Sequence, residues 1–158
     1  MANKNIWSAI TALALIFGIT LAAHGQDRSL DGTWHSAEGL ELRLDNGNLE
    51  LHLNYHDEFE TGTMLMARGI FTVSGGNITV TYTHYHGAFL NEMGMTAFGI
   101  RSVEWYTLDE VEAAIRRSPG GEFMAPAMLA QLAPLFMTDT APIINNSFTL
   151  EFGTFTRQ

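Results

Sequence analysis

No cysteine occurs in the 158 residues. Its absence excludes a disulfide framework, a thiolate metal site, a cysteine nucleophile and a lipobox thiol for acylation, so stability must come from packing. Lysine is nearly absent as well: Lys4 is the only one, and the remaining basic residues are arginines set against 17 acidic residues. A formal charge of −9 makes nucleic acid and anionic membrane surfaces poor partners. Also missing are a nucleophile elbow, a phosphate-binding glycine loop and an HExxH helix. Asp57, Glu58 and Glu60 cluster after Tyr55, but a carboxylate-rich loop beside a strand reads as a solvated one, and no catalysis is expected. No apolar segment of spanning length follows the N-terminal one, so an integral membrane protein is not expected.

What the N-terminus does contain is Lys4, an apolar run from Ile6 to Leu21 broken by Ser8, Thr11, Gly18 and Thr20, and small residues at Ala23 and Gly25. The pattern predicts a secretory signal peptide over residues 1–25, cleaved near Gly25, and an exported, periplasmic or secreted domain over 26–158. Loss of Lys4 moves the formal charge from −9 to −10. About 133 residues suit one domain with a modest core.

The strands can be read by register. In GLELRLDNGNLELHLNYH, Leu40, Leu42 and Leu44 alternate with charges up to Asn46-Gly47, and Leu49, Leu51 and Leu53 alternate beyond it. A two-residue turn of type I′ then pairs Leu44 with Leu49, Leu42 with Leu51 and Leu40 with Leu53 on one face. The same argument at Gly75-Gly76 pairs Val73 with Ile78, Phe71 with Val80, Gly69 with Tyr82, Ala67 with His84 and Leu65 with His86. Strict alternation puts Tyr82, His84 and His86 inside, with Thr79, Thr81, Thr83 and Tyr85 outside. His52, His56, Met64 and Met66 fall on the outward face.

A three-residue connection ending at Gly39 places Trp34 opposite Leu42. Near the C-terminus TAPII reads as a strand, Asn145-Asn146 as a turn, and Phe148, Leu150, Phe152, Phe155 and Arg157 as an alternating run with a bulge at Gly153. Between them, residues 88–140 read as a helical insertion. Thr107 and Glu110 form a capping box for a helix over 107–117 with Leu108, Val111 and Ile115 on its apolar stripe. Residues 122–137 form a second, apolar helical segment, with irregularity expected at Pro126 and Pro134. The fold class is therefore mainly β: an antiparallel up-and-down barrel of about 8 strands with a helical insertion before the last strands.

Gly32, Thr33 and Trp34 on the first strand resemble the G-x-W signature of the lipocalins and the wider calycin group. The hairpins from Leu40 to Gly87 and the FTRQ ending are similar to small secreted bacterial lipocalin-like proteins. The resemblance implies a barrel closed by Gly32 and Trp34, with Arg157 of the last strand packed on the indole. It also implies a ligand cavity; the insertion departs from the lipocalin pattern, which places a helix after the last strand, and reads as a lid across the open mouth.

Three functional readings remain open on these residues. In the first, the barrel binds a small apolar or amphipathic ligand without chemistry; Leu42, Leu51, Phe71 and Val80 line the cavity, and Tyr82, His84 and His86 are its polar anchors. In the second, Trp34, Phe71, Tyr82, Phe148, Phe152 and Phe155 fill the interior, and the apolar residues 122–137 are the surface for a protein partner, as in an envelope-associated or inhibitory module. The third is a periplasmic copper or zinc site from His84, His86 and Met93, which requires a third ligand beyond a His-x-His pair. No cofactor is implied.

Overall fold

The structure, a computed structural model, describes residues 30–56 and 61–157. The expected signal peptide and the acidic Asp57, Glu58 and Glu60 lie outside the described residues. The strands are β1 (Gly32–Ser36), β2 (Leu40–Asp45), β3 (Asn48–His56), β4 (Thr61–Ser74), β5 (Asn77–His86), β6 (Trp105–Tyr106), β7 (Thr138–Pro142), β8 (Ser147–Leu150) and β9 (Gly153–Arg157). Helices α1 (Gly87–Glu92), α2 (Leu108–Arg117) and α3 (Gly121–Leu132) fall between β5 and β7.

All nine strands belong to one antiparallel sheet, curled into a half-barrel, in the order β6-β5-β4-β3-β2-β1-β9-β8, with β7 also paired to β5. In the connection from β7 to β8 a single bridge, Ile144 to Ser147, closes the Asn145-Asn146 turn. Each tight turn follows its chemistry. Asn46 and Gly47 both have positive φ, and the β2–β3 register runs Leu44–Leu49, Leu42–Leu51 and Leu40–Leu53 as the alternation requires. Trp34 pairs with Leu42. Across β5 and β7 the outward threonines hydrogen-bond in pairs, Thr79 with Thr140 at 3.0 Å and Thr81 with Thr138 at 2.8 Å.

Two bulges overturn the strict alternation. From Ser74–Asn77 to Gly69–Tyr82 the β4–β5 register is as expected, but Arg68 then pairs with His84 and Ala67 with Tyr85. Thr83 is the extra residue on β5. Tyr85 consequently points inward and is fully buried, while His84 and His86 take the outer parity. The physical reason is the difference in what is buried. A tyrosine ring gains far more from the core than an imidazole, and two buried imidazoles would have to be desolvated as well. The Tyr85 hydroxyl is satisfied inside by donating to the Leu135 carbonyl. Gly69 adjoins the bulge because a Cβ there would lie 2.0 Å from the Thr81 carbonyl oxygen, so no side chain fits.

The second bulge is on β4 at Met66, between the pairs Leu51–Ala67 and His52–Leu65. It reverses the expected facing of the start of β4: Leu65 stands beside outward His52, and Met64 pairs with Leu53 and packs on the core. Met66 itself is buried rather than solvated. His52 is also buried, at 7 % exposure, with Leu65 across the strand and the Glu50 carboxylate 3.2 Å from Nε2.

Two further expectations change. Glu151 and Phe152 form a turn, so β8 and β9 are a hairpin pairing Phe148 with Phe155 and Leu150 with Gly153, in place of one bulged strand. The helical segment contains the short strand β6 and gives way to β7 at Thr138, earlier than residue 140. Helix α2 carries the expected capping box, Glu110 N–H donating to the Thr107 hydroxyl and Thr107 N–H to Glu110. Helix α3 runs through Pro126 without interruption, since burial of Ala125 and Leu132 holds it where propensity would not. Among the described residues no helix is long and apolar enough to cross a membrane.

Candidate functional site

Inside the half-barrel the residues expected to line a cavity are packed. Leu42, Leu51 and Val80 are fully buried, and Phe71 and Tyr82 nearly so. Their neighbours form a chain of rings: Trp34 on Phe148 at 4.8 Å, Tyr82 edge-on to Phe152 at 5.3 Å, and Tyr85 against Phe136 at 4.7 Å and Phe89 at 5.6 Å. The Tyr82 hydroxyl has no hydrogen-bond partner among the described residues. Burial pushes this phenol well up from its ordinary range, and the Asp139 and Glu151 carboxylates push it further. Tyr82 is therefore a neutral, core-facing group.

At the base, Trp34 is fully buried and donates from Nε1 to the Leu30 carbonyl at 2.9 Å. Arg157 pairs with it across β1 and β9, lies 5.8 Å above the indole, and donates from Nη2 to the Asp31 carbonyl at 2.8 Å. A Cβ at Gly32 would come within 3.1 Å of that guanidinium, which explains the glycine.

His84 and His86, separated from the interior by the bulge, lie in different surroundings. His84 bonds through Nδ1 to the Thr83 hydroxyl at 2.9 Å and shares a shallow outer groove with Glu50, Arg68 and Ile70. His86 pairs with Trp105 on β6, ring centroids 5.0 Å apart, and Arg68 lies over the same indole at 4.6 Å. Met93 caps the end of α1, is partly exposed, and lines neither cleft described here. Among the described residues no group of three or more histidine, aspartate or glutamate side chains is placed to hold a metal ion.

The larger cleft lies elsewhere, and its origin is topological. Strand β2 reaches β3 only as far as Leu40–Leu53, and β5 reaches β4 only as far as Ala67–Tyr85. Beyond these points, Asn54–His56 and Thr61–Thr63 pair with each other as a projecting two-stranded ribbon. Helix α1 starts where β5 stops and packs near β4. Between ribbon and helix is a cleft of about 1010 Å³. Leu53, Met64, Leu65, Ala88 and Phe89 supply its apolar walls, and Tyr55, Thr63, His86 and Glu92 its polar groups. The His86 Nδ1 atom is buried without a hydrogen-bond partner among the described residues, and burial holds its imidazole below the ordinary histidine value. Of the residues expected to anchor a ligand, His86 alone lines this cleft. The others were missed for want of one inference: Leu40 pairing with Leu53 already implies that β3 outruns its neighbour.

Comparison with protein-family models, with curated proteins and with solved structures finds no match to this chain.

Proposed function

We propose that the protein is an exported, non-catalytic binding protein that takes a small amphipathic molecule in the cleft between the β3–β4 ribbon and α1. The observation that carries this reading is the cleft itself. Its volume of about 1010 Å³, its apolar walls and its few polar groups match the general character of ligand sites. The curled half-barrel, with Arg157 over Trp34 where β9 joins β1, supports a lipocalin-type scaffold, with the binding site moved from the filled interior to its open end. Export through residues 1–25 belongs to the same proposal.

A neutral phenylnaphthylamine dye should bind with a single saturable site and increased fluorescence. Ala88→Trp, which fills the cleft, is expected to abolish that signal, while Thr72→Trp on an exposed strand position leaves it unchanged. Equal dye binding by all three proteins would overturn the reading.

One observation favours a second role, as a protein-interaction module. Phe123, at 92 % exposure, and Met124 are neighbouring exposed apolar residues on α3. Apolar side chains in such a group mark contact surfaces. A photo-crosslinking residue at position 123 should then trap one discrete adduct in the native host, and the same residue at position 72 should trap none. A matching pattern from both positions would dispose of this role.

A further inference from the structure

The charges around the cleft restrict what can occupy it, an inference that rests on the binding role proposed above. Among the described lining residues the one formal charge is the Glu92 carboxylate at the end of α1. No arginine or lysine is among the described lining residues, and burial lowers the His86 imidazole from its ordinary value, which disfavours its charged form. Arg68 is held over Trp105 and lines the other groove. The other polar residues among those lining the cleft, Tyr55 and Thr63, are hydrogen-bonding groups without charge. The whole chain adds a field of the same sign as Glu92, with a formal charge of −9.

An alkyl carboxylate, sulfate or phosphate placed here would set its head against Glu92 with no arginine or lysine among the described lining residues. An alkylammonium head finds the opposite. Glu92 offers it a carboxylate, Tyr55 and Phe89 are aromatic rings of the kind that attract cations, and Leu53, Met64 and Leu65 are apolar residues suited to the chain. We infer that the cleft selects cationic amphiphiles, an ammonium head on an apolar chain, over anionic ones.

The test uses three probes sharing one chain, dodecyltrimethylammonium, dodecanol and dodecanoate, each below its micelle concentration, titrated into the full mature protein by displacement of the phenylnaphthylamine dye. The ammonium probe should bind about tenfold more tightly than the carboxylate, with the alcohol between them, as one exposed ion pair exchanged for one repulsion permits. In Glu92→Gln the ammonium and carboxylate affinities should converge, with dodecanol unchanged and the fold intact by circular dichroism. Equal affinities for the three heads in the parent protein, or a preference that survives Glu92→Gln, would overturn the charge selection while leaving the binding role in place. Failure of all three probes to displace the dye, together with dye binding insensitive to Ala88→Trp, would remove the binding role itself.

Discussion

A chain lacking Thr81 is expected to lose about 3–5 kcal/mol of stability, the range measured when a large buried ring is replaced by a small side chain. A chain lacking Thr83, two residues on, should lose only about 1 kcal/mol, the scale of a single hydrogen bond. The contrast follows from the bulge. Gly75-Gly76 pins Ser74 opposite Asn77, and the ladder then places Ile78, Val80 and Tyr82 on the inner face. With Thr81 gone, the chain can keep Tyr85 inside only by using up the bulge. Tyr82 then takes the outward position of Thr81, and Thr83 takes the place of Tyr82 opposite Gly69. The interior loses a ring that packs on Phe152 and Tyr85, and the Thr81–Thr138 hydrogen bond goes too.

Removing Thr83 has no such effect. It is the residue that the register does not need: Gly69–Tyr82, Arg68–His84 and Ala67–Tyr85 persist without it. What is lost is its hydroxyl's contact with His84 and a weak one with the Arg68 carbonyl at 3.4 Å. Urea denaturation of both deletions against the parent decides the matter. Losses of similar size from the two would mean that Thr83 is not the extra residue. A total stability of about 5–15 kcal/mol leaves the Thr81 deletion near the limit of a folded population.

The same bulge marks where the sequence stops being legible. Up to Tyr82 the register follows from two turn dipeptides and period-two alternation, because a one-residue slip would expose every leucine of β2 and β3. From Thr83 onward two registers compete, and TYTHYHG offers a ring at nearly every position, so alternation alone cannot choose between Tyr85 and His84. Side-chain burial chooses, and that comparison was open to the sequence: a strand that must bury either a tyrosine or an imidazole pair buries the tyrosine. The bulge at Met66 had no comparable signal, since Met64, Leu65 and Met66 are each apolar enough to face either way. The capping box of α2 was legible because it is wholly local. Continuation of α3 through Pro126 was not, because it depends on residues the helix meets only in the folded chain. The cleft combines both failures, being the gap left where β3 and β4 outrun β2 and β5.

Trp34→Ala should cost about 3–5 kcal/mol, and nearly all of that should be packing rather than attraction to Arg157. The indole is fully buried, touches Phe148 at 4.8 Å, and its N–H satisfies the Leu30 carbonyl at 2.9 Å. Truncation leaves a cavity between the first and last strands together with a carbonyl deprived of its donor. Arg157 contributes differently. Its side chain is exposed, so its cation over the indole at 5.8 Å is worth about 0.5–1 kcal/mol. Its Nη2 bond to the Asp31 carbonyl is made whether or not the ring is present. A double-mutant cycle of Trp34→Ala with Arg157→Met should therefore give a coupling below about 1 kcal/mol, a small part of the tryptophan's own cost. A coupling as large as the Trp34→Ala loss would make the arginine the principal partner and packing the lesser term. The ladder between β1 and β9 is short, joining Trp34 to Arg157, His35 to Thr156 and Ser36 to Phe155. With so few pairs, the seam depends on the side chains across it. Loss of Trp34 should therefore loosen β8 and β9 before the hairpins from β2 to β5, seen as amide exchange that quickens first at Phe148 and Phe155.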